Sequence, residues 1–93
     1  MKDNLNPFHL AIPVSNLEKS VIYYRDILGL KEGRSSNKWA DFDFFGHQLV
    51  CHVSDSINEQ ITNPVDGEEV PVPHFGVVLS IEEFEEFLLK IND

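Results

Sequence analysis

The sequence predicts an α+β fold in which a β-α-β-β-β module is followed by the β-α half of a second module. The main observation is a repeated pattern. An apolar segment led by a histidine and followed by Ser-x-x-Glu runs from His9 to Glu18 and again from His74 to Glu83. A repeat of this kind indicates two related structural units. Between the two copies, residues 39–45 and 48–53 carry strand-forming side chains, and a Gly-His turn separates them.

The first copy predicts a strand over residues 8–14 and a helix from Ser15 to Leu28. In Ser-x-x-Glu the serine can cap a helix, while the glutamate reaches back to the serine amide. Gly29 is the expected left-handed residue at the end of this helix. The apolar face of the helix is predicted from spacings of four, three and four residues, at Leu17, Val21, Tyr24 and Leu28. Further strands are expected over residues 30–34, 39–45 and 48–53.

We predict a single domain over residues 1–93, with the first module at 8–53, a linker at 54–73 and the second module from 74 to 93. The linker is rich in Ser, Asp, Asn and Pro and has no hydrophobic period. A strand is expected over His74 to Leu79 and a helix from Ser80 to about Ile91. By comparison with the first module, the second lacks three strands. We therefore expect either another chain or a longer protein to complete it.

The composition narrows the possible partners. The formal net charge is −9 and no Lys/Arg cluster occurs, which argues against nucleic acid or an anionic membrane as a partner. No apolar run approaches the roughly 20 residues of a membrane span. The single cysteine, Cys51, is expected to be an inert buried thiol and suits a reducing, cytoplasmic location.

Strand alternation predicts which side chains share a face of the sheet. If Leu10 and Ile12 face the helix, His9 faces the other way. The same rule, applied to the fourth strand and to the repeated strand, puts His52 and His74 on the helix-free face, with Gln48 beside them. Several imidazoles on one open face predict a metal-binding pocket.

These residues resemble the vicinal oxygen chelate superfamily, which includes glyoxalase I, bleomycin- and fosfomycin-resistance proteins and extradiol dioxygenases. The resemblance rests on the predicted module, its duplication, the His9-Leu10-Ala11-Ile12-Pro13-Val14 run and the Tyr24-Arg25-Asp26-Ile27-Leu28-Gly29-Leu30 helix ending. Within the superfamily, three stretches are most similar to small bacterial proteins predicted to be extradiol dioxygenases: Glu32 to Ser36, Asp41 to Gln48 and Pro71 to Gly76.

The resemblance implies a divalent metal held by residues from the first and last strands of each module. His9 and His74 match the first-strand positions, and His52 is the nearest match in the fourth strand, with Gln48 a poorer one. The remaining ligand, usually a glutamate, is expected beyond Asp93. Fe(II) is the metal we expect, with Zn, Ni or Mn as alternatives, because imidazole suits several of these ions.

The function that the resemblance implies is an extradiol-type dioxygenase acting on a small oxygen-chelating substrate. Three alternatives stay open. They are a glyoxalase-type lyase, a non-catalytic binding protein of the same fold, and a structural paralogue whose histidines lie too far apart to share an ion. Gln48, Arg34 and Trp39 are weaker candidates for substrate contacts. Arg34 also has a simple interpretation as a surface charge, and Trp39 as a core residue. His47, at a turn, is expected to be exposed.

We also expect a homodimer. The unpaired edge of the 74–79 strand is a template for pairing. The second helix has an apolar side at Phe84, Phe87, Leu88 and Ile91, and burying each such side chain contributes about 1.5–3 kcal/mol. His9 and His74 of one pocket could then belong to different chains.

Overall fold

Residues 9–53 form the predicted β-α-β-β-β module in the computed structural model, which describes residues 5–55 and 62–92. The described elements, in chain order, are β1 (His9–Val14), α1 (Leu17–Val21) continued by a π-helical segment (Ile22–Ile27), β2 (Glu32–Ser35), β3 (Trp39–Phe44), β4 (His47–Val53), β5 (Thr62–Val65), β6 (Glu68–Pro71) and α2 (Ile81–Ile91). The α+β fold class predicted from the sequence is confirmed.

The four strands of the module form one sheet in the order β1-β4-β3-β2. β1 runs parallel to β4, and His9 lies opposite Gln48. β3 is antiparallel to β4 and to β2. The pairing of β2 with β3 contains a bulge, because Glu32 pairs with Phe42 and Ser35 with Ala40. Gly33 and Arg34 therefore lie opposite the single residue Asp41.

The core lies between this sheet and the helix. Its buried members are Leu30, Ala40, Phe42 and Cys51, and the predicted helix face of Leu17, Val21, Tyr24 and Leu28 packs against them. The Tyr24 ring lies 5.5 Å from the Phe42 ring, centroid to centroid. Of the aromatic side chains in the third strand and the turn after it, Phe42 is thus core, Phe44 packs at its margin and Phe45 is exposed.

The two ends of the first helix differ in how well they were predicted. Gly29 has φ of 76°, the left-handed conformation expected after a helix. The N-cap is Asn16 rather than Ser15, and its side chain accepts a hydrogen bond from the Lys19 amide at 2.9 Å. The prediction of a Ser15 cap was wrong by one residue, because an asparagine oxygen caps a helix equally well.

The segment predicted to be an irregular linker contains a β-hairpin. β5 pairs with β6 in an antiparallel two-stranded sheet. Asp66 and Gly67 form its turn, with φ of 51° and 83°. An Asp-Gly pair is a strong hairpin signal because both residues tolerate positive φ. Residues 56–61 of the predicted linker lie outside the described part of the chain.

The second copy of the repeat forms its helix but not its strand. Residues 74–80 have no regular secondary structure, so the strand prediction for His74 to Leu79 was wrong. The capping box before α2 is complete, since the Ser80 hydroxyl accepts from the Glu83 amide and the Glu83 carboxylate accepts from the Ser80 amide.

The second half rests on the first through a few aromatic contacts. The Phe75 ring lies 5.7 Å from Phe44, and Phe87 lies 5.8 Å from Phe45. Much apolar surface stays open: Val78 is 96% exposed, Ile81 77% and Leu89 73%. No helix among residues 5–55 and 62–92 is long and apolar enough to span a membrane.

Candidate functional site

The helix-free face of the sheet carries the predicted polar side chains of the first module. Strand alternation puts Ala40, Phe42 and Cys51 against the helix, and so turns their strand neighbours the other way. The opposite face therefore carries a largely polar set that includes His9, Arg34, Trp39, Asp41, Asp43, Gln48 and His52. For the first module, the facing predicted from the sequence agrees with the structure.

Three of these side chains form a continuous hydrogen-bonded chain. His9 Nδ1 lies 2.8 Å from Gln48 Oε1. Gln48 Nε2 donates to Asp41 Oδ2 at 3.1 Å, and the other Asp41 oxygen accepts from the Arg34 amide at 2.7 Å. Asp41 is 7% exposed although it is charged. The chain thus leads from a buried carboxylate to an exposed imidazole.

The directions of these hydrogen bonds determine which imidazole nitrogen of His9 carries the proton. A carboxylate oxygen accepts, so the Gln48 group next to Asp41 is its NH₂ and the group next to His9 is its carbonyl. His9 Nδ1 must therefore donate to that carbonyl. In a neutral imidazole the other nitrogen, Nε2, is then the lone-pair nitrogen that can bind a metal. Metal-binding histidines commonly have their second nitrogen held in this way.

The imidazole of His74 is held in the same tautomer as that of His9, but by backbone carbonyl groups instead of a side chain. Its Nδ1 lies 2.9 Å from the Pro71 carbonyl oxygen and 3.1 Å from that of Val72. Both partners are acceptors, so Nδ1 donates and Nε2 keeps its lone pair. The two histidines of the repeat thus offer the same nitrogen for a ligand.

His52 lies apart from His9. It pairs with Pro13 on β1 and with Trp39 on β3, four residues along the strand from Gln48. Four residues span about 13 Å at about 3.3 Å each, whereas two imidazole nitrogens on one ion lie within about 4 Å of each other. The described residues of this one chain contain no group of three or more His, Cys, Asp or Glu side chains that could hold a metal ion. The predicted site is thus not assembled within them.

Arg34 and Trp39 lie together at the His52 end of the face. The Arg34 guanidinium carbon is 5.7 Å from the centre of the Trp39 ring, within cation–π range. Trp39 is half-buried and is not part of the core cluster, so its interpretation as a core residue was wrong. Arg34 is exposed and remains able to meet an anionic group.

Two other predictions concerned single residues. His47 was expected to be exposed, but it is the first residue of β4 and is half-buried. Its Nδ1 accepts a hydrogen bond from the Phe8 amide at 2.8 Å. Cys51 is a free, buried thiol, as predicted, and burial raises its pKa. A raised pKa keeps the thiol protonated and unreactive.

Two apolar clefts lie where the second half meets the first. One, of about 430 Å³, is bounded by the ends of β1 and β4 and by residues 75–78, and its polar lining residues are His47 and Gln48. The other, of about 490 Å³, lies between Phe44, Phe45 and α2. Gln48 is thus the middle member of the hydrogen-bonded chain that reaches His9, and it also lines a cleft large enough for a small molecule.

Asp41 is the functional candidate that the sequence analysis missed. The signal was present, because the alternation that buries Ala40 and Phe42 turns Asp41 to the face of His9. The β2 bulge and the register of β1 against β4 were not readable from local sequence. The bulge holds the Asp41 carboxylate, which lies diagonally across the β3–β4 pairing from Gln48, and the β1–β4 register sets Gln48 against His9.

Comparison with known proteins gives consistent similarities, although no family model matches the sequence. The chain is 30% identical, over 83 residues, to metallothiol transferase FosB of Lysinibacillus sphaericus, covering 89% of this chain and 55% of that protein. It is also similar to the crystal structure of a glyoxalase/bleomycin resistance protein/dioxygenase from Alicyclobacillus acidocaldarius. That match has a TM-score of 0.73 and 32% identity, and it covers 98% of this chain and 64% of the other.

The fosfomycin resistance protein FosX of Listeria monocytogenes shares the fold, with a TM-score of 0.65 at 22% identity over 99% of this chain and 66% of that one. The fold and these similarities support the resemblance of this chain to the vicinal oxygen chelate superfamily. It spans about half the length of the FosB relative and about two thirds of these two solved structures.

Proposed function

We propose that this protein is a divalent-metal-dependent enzyme that binds a small substrate through two neighbouring oxygen atoms. The observation that carries the proposal is the pair of histidines, His9 and His74, each with Nδ1 donating to an oxygen and Nε2 left as a lone-pair nitrogen. A FosX structure contains Mn(II), which supports a divalent ion in this fold. A bound ion would supply Lewis-acid polarisation of the substrate oxygens.

The residues of this chain would bind and orient both ion and substrate. His9 and His74 would provide imidazole ligands. His52 is a weaker ligand candidate, because its register separates it from His9. Arg34 lies on the same face as His9 and would meet an anionic substrate group, while the Trp39 ring beneath it would hold the guanidinium in place. Gln48 would line the approach from the neighbouring cleft.

Metal binding is tested by titrating the purified chain with Mn(II) or anaerobic Fe(II) and counting bound ions. We expect stoichiometric binding that His9→Gln and His74→Gln each weaken. His47→Gln is the matched control, since the Nδ1 of His47 is already engaged by the Phe8 amide. A wild-type chain that binds no ion, or a His9→Gln variant that binds as well as wild type, overturns the proposal.

We further propose that the working form is a homodimer, in which His74 of one copy approaches His9 of the other. The exposed apolar surface of the second half supports this. Val78, Ile81 and Leu89 are each more than 70% exposed, and covering each would contribute about 1.5–3 kcal/mol. A second copy carries the same exposed apolar surface and also supplies a second His74, which can approach His9 of the first copy.

Sedimentation at micromolar concentration tests the dimer. We expect the wild type to sediment as a dimer and Val78→Glu to sediment as a folded monomer with weakened metal binding. Val65→Glu is the control, because Val65 is 50% exposed but lies in the hairpin. A well-folded wild-type monomer that binds metal contradicts the proposal.

For the reaction, we propose extradiol-type ring cleavage with Fe(II), supported by the 32% identical structure whose name includes dioxygenase. The second candidate is thiol transfer, supported by the FosB similarity. Two assays separate them: ring cleavage of a catechol by the Fe(II)-loaded protein, and thiol-dependent loss of fosfomycin with Mn(II). If the metal-loaded protein catalyses neither reaction, both assignments fail, and a glyoxalase-type lyase or a non-catalytic binding protein remains. We propose a cytoplasmic location, consistent with the free thiol of Cys51.

A further inference from the structure

We infer that Asp41 is a positioning residue that sets, through Gln48, which nitrogen of His9 carries the proton. The inference rests on the proposed function only where it concerns metal affinity. The proton position itself is a property of the metal-free chain. It follows from the 2.8 Å contact of His9 Nδ1 with Gln48 Oε1 and the 3.1 Å bond from Gln48 Nε2 to Asp41 Oδ2.

A glutamine between two partners can face either way, because its amide has a donor end and an acceptor end. If Gln48 turned its NH₂ toward His9, Nδ1 would have to accept, and the imidazole proton would move to Nε2. The ligand nitrogen would then be blocked. The carboxylate of Asp41 removes this possibility, since it accepts and has no proton to donate to Gln48.

The β2 bulge holds Asp41 in place. The carboxylate lies opposite Gly33 and Arg34, and its Oδ1 accepts from the Arg34 backbone amide at 2.7 Å. The bulge leaves a backbone donor without a strand partner, and Asp41 supplies the acceptor. Since this donor belongs to the backbone and Asp41 is 7% exposed, the carboxylate is held in one orientation. Its other oxygen is thereby directed at Gln48.

This arrangement predicts a specific effect of Asp41→Asn. The oxygen of the introduced amide would keep the hydrogen bond from the Arg34 backbone, which leaves the introduced NH₂ against Gln48. Gln48 would then turn its carbonyl toward position 41 and its NH₂ toward His9. We therefore expect the proton of His9 to move from Nδ1 to Nε2, with no large change in the fold.

The double variant Asp41→Asn with Gln48→Glu provides a rescue at unchanged formal charge. The carboxylate introduced at position 48 would accept from the NH₂ introduced at position 41 on one side and from His9 Nδ1 on the other. It should restore the wild-type proton position. Asp43→Asn is the control, because Asp43 lies on the same strand and face but accepts from the Gly46 amide outside this chain of bonds.

The experiment is ¹⁵N NMR of the metal-free imidazoles above about pH 8, where an ordinary histidine is neutral. In the wild type and in Asp43→Asn, His9 Nε2 should resonate as an unprotonated nitrogen. In Asp41→Asn it should move toward the protonated position, and in the double variant it should return. A His9 proton that stays on Nδ1 in well-folded Asp41→Asn overturns the inference.

Mn(II) titration adds a second readout. Asp41→Asn should bind about 10–100-fold more weakly than wild type, as is typical when the group behind a metal ligand is lost, and the double variant should recover most of this. If the proton moves as predicted but the wild type binds no ion, the positioning role stands and the proposed function fails. If the wild type binds the ion and Asp41→Asn binds it equally well with its proton unmoved, the positioning role fails alone.

Discussion

The two copies of the repeated pattern reach different structures. In the first, His9–Val14 becomes a strand because β4 lies beside it and pairs with all six of its residues. In the second, residues 74–79 stay irregular, although α2 forms with a full capping box. A helix satisfies its hydrogen bonds within its own segment, whereas a strand needs a partner. The comparison shows that the repeat encodes its helices locally and its strands only through the sheet.

The same contrast appears in burial. Phe42 in the first module is 2% exposed, whereas Phe84 in α2 is 51% exposed. The first module thus has a core of its own. The second half has an apolar helix face that the described part of this chain covers incompletely.

Replacing one phenylalanine in each half by alanine should give the largest difference in the free energy of unfolding. We expect Phe42→Ala to lower the free energy of unfolding by about 3–5 kcal/mol, because it leaves a cavity in the core. Phe84→Ala should cost about 1 kcal/mol or less in the monomer, as at other exposed positions. Urea denaturation of dilute protein, followed by Trp39 fluorescence, measures both. Equal losses would show that α2 belongs to the same core as the sheet.

Replacing one glycine in each half by alanine should give the next largest difference in stability. A methyl group at Gly33 would overlap the Asp41 carboxylate, so Gly33→Ala should cost about 1–3 kcal/mol and disturb the hydrogen bonds leading to His9. At Gly76 an added methyl group meets no atom within 4 Å, and Gly76→Ala should be neutral or stabilise by about 0.4–1 kcal/mol. Thermal unfolding measures the stability of both variants. A tolerated Gly33→Ala would mean that Asp41 is not held at the bulge.

Removing a helix cap should change the free energy of unfolding by a smaller amount. Both helices begin at similar sequences, but only α2 uses its serine as the cap. Ser80→Ala should cost about 1 kcal/mol, and the same change at Ser15 should cost almost nothing, since Asn16 is the cap there. Asn16→Ala should match Ser80→Ala. Hydrogen exchange of the first-turn amides, at Lys19 and Glu83, reports each helix separately. Faster exchange at Lys19 in Ser15→Ala would contradict the assigned cap.

The smallest effect is a pH dependence confined to the first module. Burial raises the pKa of Cys51 above its ordinary value of 9.0. The folded chain therefore holds this proton to higher pH than the unfolded chain. The resulting stabilisation is complete below pH 9.0, falls as the pH rises through the folded-state pKa, and disappears in Cys51→Ala. Urea midpoints compared at neutral and alkaline pH test this; identical slopes in both proteins would contradict it.

Much of the first module was predictable because its signals are local. The 4-3-4 apolar spacing of the first helix, which comprises α1 and its π-helical continuation, depends on neighbouring residues. The same holds for its Gly29 ending and for the alternation that puts His9 and Gln48 on one face. The hairpin at Asp66 and Gly67 was equally local. Its turn signal was present, but the surrounding polar residues and prolines led to the interpretation of a linker.

The sequence by itself determined the helices, the faces of the strands and the residue types available for a site. Only the tertiary structure decided the register that sets His9 against Gln48 and leaves His52 four residues away. It also decided the β2 bulge that holds Asp41, and the absence of a strand at residues 74–79. The physical reason is the distance along the chain over which each interaction acts. Helical hydrogen bonds and side-chain alternation are set within a few residues, while register, bulges and strand pairing depend on which distant segments pack together.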